Sequence, residues 1–136
     1  MILAMLGPQV GFPLFLALTI VTLAAVVITG LKGRVRLHIS LVATAVAFLA
    51  IAIYFAEKLG RFYDLASAGV ITPIHLTIAP IATAAYLLPV ITGVLTLRDR
   101  RHKRLHFKLA MLVLALTVLT ALTGSLMLWL ANARPA

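Results

Sequence analysis

Four histidines, His38, His75, His102 and His106, are the side chains of this 136-residue sequence best suited to chemistry. There is no cysteine, which removes disulfide frameworks, thiolate zinc sites, iron–sulfur clusters and cysteine nucleophiles. The three acidic residues, Glu57, Asp64 and Asp99, all lie outside the long apolar runs, so no intramembrane carboxylate is present to carry protons or ions. Nor is there a Ser/His/acid set, a carboxylate pair or a nucleotide-binding loop, and independent catalysis is not expected. What remains is the imidazole nitrogen as a ligand, for haem iron or for copper. A histidine at the end of an apolar segment also serves simply as an interfacial polar residue. Depth and helical phase therefore have to decide between these uses.

The elements that must position the histidines follow from composition. Hydrophobic residues make up 63% of the chain and charged residues 11%, where soluble domains average roughly 45–50% and about 25%. A water-soluble globule and a disordered chain are both excluded. Four apolar stretches reach the ~20 residues a spanning helix needs: about Pro8 to Leu31, Leu37 to Ala56, Pro73 to Leu97 and Leu105 to Ala131. No Lys or Arg precedes the first, and the second follows with no room for a cleavage site, so the first reads as a retained span. The chain, 1–136, thus reads as one all-α membrane domain, an up-down bundle of four transmembrane helices. No internal repeat stands out.

Nine of the twelve Lys and Arg residues lie in the connections Lys32–Arg36 and Arg98–Lys108. The positive-inside rule places those connections in the cytoplasm and both termini outside. The net charge of +9 is then a membrane anchor against anionic headgroups, and nucleic acid is not needed to explain it. The outer connection, Glu57–Thr72, is long enough to hold structure, with Phe62 and Tyr63 placed for headgroup depth. Thr72-Pro73 predicts an N-cap followed by proline at the first helical position. Pro80 and Pro89, inside the third span, each predict a kink.

Depth then sorts the histidines. His38 and His106 open the second and fourth spans at the cytoplasmic face, whereas His75 opens the third at the outer face, a membrane thickness of about 30 Å away. His38 and His106 are thereby the candidate pair for one haem b or metal, with Arg34, Arg36, Arg104 and Lys108 as cations for propionates. His102 and His106, four apart, are an alternative metal pair on one helix face, although His102 sits among Arg and Lys. At the outer end His75, Met127, Met1 and Met5 offer imidazole and thioether, which suit Cu(I). Helical phase adds small or weakly polar stripes beside each histidine. His38 shares its face with Ala45, Ala52 and Ala56; His75 with Ala79, Ala82, Tyr86 and Gly93; His106 with Ala110, Thr117, Ala121 and Gly124. Such stripes mark helix interfaces in lipid, within one chain or in a homo-oligomer.

Three segments carry a resemblance. They are LKGRVRLHISLVATAVAFLAIAIYF, PIHLTIAP, and RRHKRLHFKLAMLVLALTVLTALTGSLMLWL. Over about residues 30 to 131 the chain resembles the small bacterial membrane family that includes the oxidase-assembly factor CtaM and its relative YozB. It departs from that family in carrying both Pro80 and Pro89 and in a less aromatic outer connection. The resemblance implies a helical protein of the bacterial cytoplasmic membrane, linked to haem–copper oxidases or their maturation. It also implies that His38, His75 and His106 are haem or copper ligands. The expected function is accordingly a b-type haem- or copper-binding protein associated with a respiratory electron-transfer complex or its assembly, with other membrane subunits as partners. The alternative is a cofactor-free accessory subunit of a larger membrane complex.

Overall fold

In the computed structural model, which describes residues 7–134, the apolar stretches are helices. Helix α1 is Pro8–Leu31 and α2 is Val35–Gly60. A two-residue strand, Tyr63–Asp64, and a 3₁₀ turn, Leu65–Ala68, follow. The third span is made of α3, Ile71–Ala85, and α4, Leu87–Arg98. A second 3₁₀ turn, Arg100–His102, leads into α5, Lys103–Leu130, and a short strand at Asn132–Ala133. Four helical runs are long and apolar enough to cross a membrane. The shortest has 24 residues, about 36 Å at the α-helical rise. Their outward side chains, among them Val21, Leu31, Leu87, Ile91 and Leu122, are large, apolar and exposed, as helices facing acyl chains require. This is a membrane protein.

The described residues divide into two compact units, one running to Tyr63 with Ala133 and Arg134, the other Asp64–Asn132. In the first, α1 packs along α2. The half remote from the α1–α2 connection is aromatic: Phe15, Ala52 and Phe55 are buried, with Phe12, Leu18, Phe48 and Ile51 packed against them. The Phe15 ring centroid lies 5.9 Å from those of both Phe48 and Phe55. Gly11 makes room for this, since a Cβ there would lie 2.7 Å from the Phe55 ring. The connection turns at Gly33, whose φ is +68°. Gly33 N–H donates to Gly30 O at 3.2 Å and Arg34 N–H to Thr29 O at 3.0 Å. These two bonds are a Schellman cap, which satisfies the last carbonyls of α1 and needs glycine's left-handed backbone. Helix α2 runs past the expected Ala56 because Glu57 and Lys58 stay exposed while Leu59 turns inward and is buried. The Lys58 ammonium sits 5.1 Å from the Tyr54 ring centroid.

In the second unit α3 and α4 pack on α5. The span is interrupted once, at Tyr86, and the cause is Pro89. It has no N–H for the Ala85 carbonyl, and its ring crowds that carbonyl, so α3 ends at Ala85. Pro80 lies inside an uninterrupted α3, so of the two prolines only Pro89 coincides with a break in the span. The expected start is corrected as well. Val70, not Thr72, is the N-cap, and Pro73 falls at the third helical position. The Thr72 hydroxyl instead donates back to the Leu65 carbonyl, tying the 3₁₀ turn to the helix start. At the other connection Asp99 caps the 3₁₀ turn, accepting from Arg101 N–H at 2.9 Å.

Candidate functional site

The buried polar groups of the helices are threonines: Thr19, Thr22, Thr29, Thr92, Thr117 and Thr123. Each donates its hydroxyl to the carbonyl one turn earlier. Without water, this is how a hydroxyl is accommodated inside a span. The donation has a consequence for any neighbouring imidazole. A threonine whose proton is committed to a carbonyl offers only its oxygen lone pair.

Helix α5 presents such an acceptor to His75. The His75 Nδ1 lies 3.1 Å from Thr123 Oγ1, and Thr123 donates to Leu119 O at 2.9 Å. His75 therefore donates from Nδ1, and the Thr120 backbone carbonyl is a further hydrogen-bond partner of its ring. The ring rests on Gly124, where a Cβ would lie 2.7 Å from His75 Cε1. Near the other end of α5 the arrangement recurs. His106 Nδ1 is 3.3 Å from Thr92 Oγ1, Thr92 donates to Leu88 O at 2.8 Å, and the ring rests on Gly93. In the first unit His38 donates from Nδ1 to the Val26 carbonyl at 2.9 Å, with its ring on Gly30. All three histidines are half-buried and share one tautomer, assigned from the hydrogen-bond network.

The glycines and threonines under the rings were not foreseen, although a signal for them exists. Val-Ile-Thr-Gly occurs at Val27–Gly30 and again at Val90–Gly93, and Arg-Leu-His at Arg36–His38 and again at Arg104–His106. Each Val-Ile-Thr-Gly ends a helix face on which the following histidine rests. The chain thus carries two short motifs twice in the same order, with five more residues between them in the second occurrence. In the same register five pairs are buried on both sides, Thr19 and Ala82, Thr29 and Thr92, Ala45 and Val113, Phe55 and Thr123, and Leu59 and Met127, whereas buried Gly11 answers to exposed Ile74.

His38 belongs to the first unit and His106 to the second, and each ring makes one hydrogen bond to a residue of its own unit. Arg34 is the N-cap of α2, and Arg34, Arg36, Arg104 and Lys108 are all exposed. His102 closes the 3₁₀ turn and caps α5, so it is not on a regular turn of the helix that carries His106. His75 and His106 lie at opposite ends of their unit, since 18 residues of α5 separate His106 from Gly124, about 27 Å. Met127 is buried one turn beyond Gly124, while Met1 and Met5 lie outside the described residues. Every residue of the three expected stripes is buried or half-buried. Among the described residues no three His, Cys, Asp or Glu side chains gather into a metal-binding group. Compared with protein-family models, curated proteins and solved structures, the chain matches none of them.

Proposed function

We propose that this chain is a b-type haem-binding protein of the bacterial cytoplasmic membrane, acting with other membrane subunits in a respiratory electron-transfer complex or its assembly. His38 and His106 are the ligand residues, the basic connections face the cytoplasm, and both termini face outward. Copper is the alternative occupant of the same residues. The observation that carries the reading is the shared tautomer of these two repeat-equivalent histidines. Metal-ligating imidazoles characteristically donate one ring N–H to a fixed acceptor, which orients the ring and keeps the lone pair on the other nitrogen. Val26 O and Thr92 Oγ1 are such acceptors. Arg34, Arg36, Arg104 and Lys108 supply exposed cations close in sequence for propionate carboxylates. When bound, haem would supply one-electron transfer; the protein's part is to orient two imidazoles and neutralise the propionates.

A second reading rests on the same contacts. Each imidazole also joins two helices, so the histidines can act as clamps in a cofactor-free accessory subunit. His38→Asn and His106→Asn separate the two, because the asparagine amide keeps a donor near Nδ1 and removes Nε2. Purified in mild detergent, the wild-type protein is expected to show a Soret band, a reduced alpha band and stoichiometric iron. Each variant is expected to lose them while keeping its helical content. Unchanged cofactor content in both variants would end the haem reading. A colourless, metal-free wild type, with a membrane partner that co-purifies equally with both variants, would establish the accessory subunit.

A further inference from the structure

Two of the cations near the start of α5 are placed differently from the rest of their connection. Arg104 and Lys108 stand two residues before and two after His106, so at 100° per residue each projects about 160° away from it. That is the side of α5 opposite its buried Val113, Thr117 and Gly124, and both cations are exposed. The same exposed face continues through Met111, Ala115, Val118 and Leu122. No acidic residue stands in the first turn of α5, and Asp99, the carboxylate of the connection, is engaged by Arg101 at 3.5 Å. The apolar part of the helix, residues 109–130, is about 33 Å long, close to the ~30 Å of a hydrocarbon core. Lys108 therefore falls at the core boundary, and Arg104 about 6 Å farther out, at headgroup depth. An exposed helix face need not look like this. That of α2 has Arg36 followed by Ser40, Ala43 and Ala47, one cation above small side chains.

We propose that this face of α5 binds one anionic phospholipid, with its phosphate on Arg104 and Lys108 and an acyl chain along Met111, Ala115, Val118 and Leu122. The guanidinium offers a planar fork of donors to the phosphate oxygens and the ammonium a point charge one turn deeper. Ala115 is the small side chain in the row and leaves the notch in which the chain lies closest to the helix. Charge above and hydrocarbon below complement an amphiphile, whereas a soluble phosphate compound would leave the apolar row unused. The two cations also repel the ammonium of a zwitterionic headgroup, so the site selects net negative lipids. This goes beyond the haem reading. It leaves His38 and His106 untouched and asks of Arg104 and Lys108 a lipid phosphate in place of a propionate, with Arg34 and Arg36 remaining for the latter.

Native mass spectrometry of the full-length protein in mild detergent reads the site, after equilibration with phosphatidylglycerol or with phosphatidylcholine of the same acyl chains. Every side chain to be replaced is exposed, and circular dichroism verifies that the helices persist. The wild type is expected to retain one phosphatidylglycerol and to bind phosphatidylcholine far more weakly. A cation near anionic lipid is worth about fivefold in affinity, so Arg104→Gln/Lys108→Gln should lose about 30-fold. Arg100→Gln/Arg101→Gln removes the same charge from the 3₁₀ turn and, through screening, should lose about threefold or less. Ala115→Phe changes no charge but fills the notch and should weaken binding severalfold. Inorganic phosphate at constant ionic strength should not displace the lipid. Equal binding of the two lipids would overturn the site, and so would equal losses in the two double variants, which is the mark of diffuse attraction. Wild-type binding by Ala115→Phe, or displacement by inorganic phosphate, would overturn it as well. Lipid is counted separately from any Soret band, so failure of this site and failure of the haem reading are told apart on one sample.

Discussion

The two hairpin units solve the same packing problem near His38 and His106 and different ones at their far ends. At the first place each sets a histidine on the glycine of a Val-Ile-Thr-Gly segment, with Nδ1 donating to the opposite helix. At the far end the first unit inserts Phe55 of its second helix over Gly11 of its first, whereas the second unit inserts His75 of its first helix over Gly124 of its second. Knob and hole have exchanged helices, and a carbon ring has been exchanged for an imidazole. Both arrangements let two helices approach closely, which is what small residues do at helix interfaces in lipid. The difference teaches that the glycine contact is the shared structural requirement. The polarity laid over it varies independently.

Replacing the knobs Phe55 and His75 tests that separation most strongly. Phe55 is buried among aromatic neighbours, so Phe55→Ala should leave a cavity and cost about 3 kcal/mol. His75→Ala removes a half-buried ring and one hydrogen bond and should cost only about 1–2 kcal/mol. Both are read by reversible denaturation in mixed detergent micelles. Equal losses would mean that the second unit depends on His75 for its packing as much as the first depends on Phe55.

The holes give the next largest effects. A Cβ at Gly11 would meet the stacked Phe55 ring at 2.7 Å, one at Gly124 would meet His75 Cε1 at 2.7 Å, and one at Gly93 would meet His106 Cε1 at 3.3 Å. Phe55 is held by Phe15 and cannot yield, whereas His75 can swing aside by giving up Thr123. Overpacking should therefore cost about 2–3 kcal/mol in Gly11→Ala, about 1–2 in Gly124→Ala and under about 1 in Gly93→Ala. The same denaturation series reads the order. A Gly93→Ala loss as large as that of Gly11→Ala would show that His106 is held as rigidly as the aromatic cluster.

Much of this architecture is legible in the residues. The first helix begins at Pro8 and ends at Leu31 because hydropathy changes abruptly there. The small-residue stripes point inward because helical phase leaves them no other use. The break at Tyr86 is less legible, since Pro80 and Pro89 look alike in sequence and only one interrupts the span. The start at Ile71 was hidden because Thr72 spends its hydroxyl on a distant carbonyl rather than on its own helix. The recurrence of motifs is hard to see in sequence because it is confined to short segments separated by connections of unequal length. Tertiary contact makes it visible: Gly30 and Gly93 matter only once a histidine is seen resting on each.

The smallest predicted effect probes the middle of the second unit, where the first is again apolar. Tyr86 and Thr117 stand at the places of Leu23 and Leu49. Thr117 commits its proton to Val113 O at 2.8 Å, so the Tyr86 hydroxyl must be the donor in the 2.8 Å contact with Thr117 Oγ1. A single such bond inside a membrane is worth about 0.6 kcal/mol, because the unfolded span finds other partners. In a double-mutant cycle of Tyr86→Phe and Thr117→Val, the coupling energy should be near that value, with the double variant costing less than the sum of the two singles. A coupling well above it would mean that this polar contact stabilises the hairpin. The second unit's polarity would then be part of its fold, not a feature laid over a packing it shares with the first.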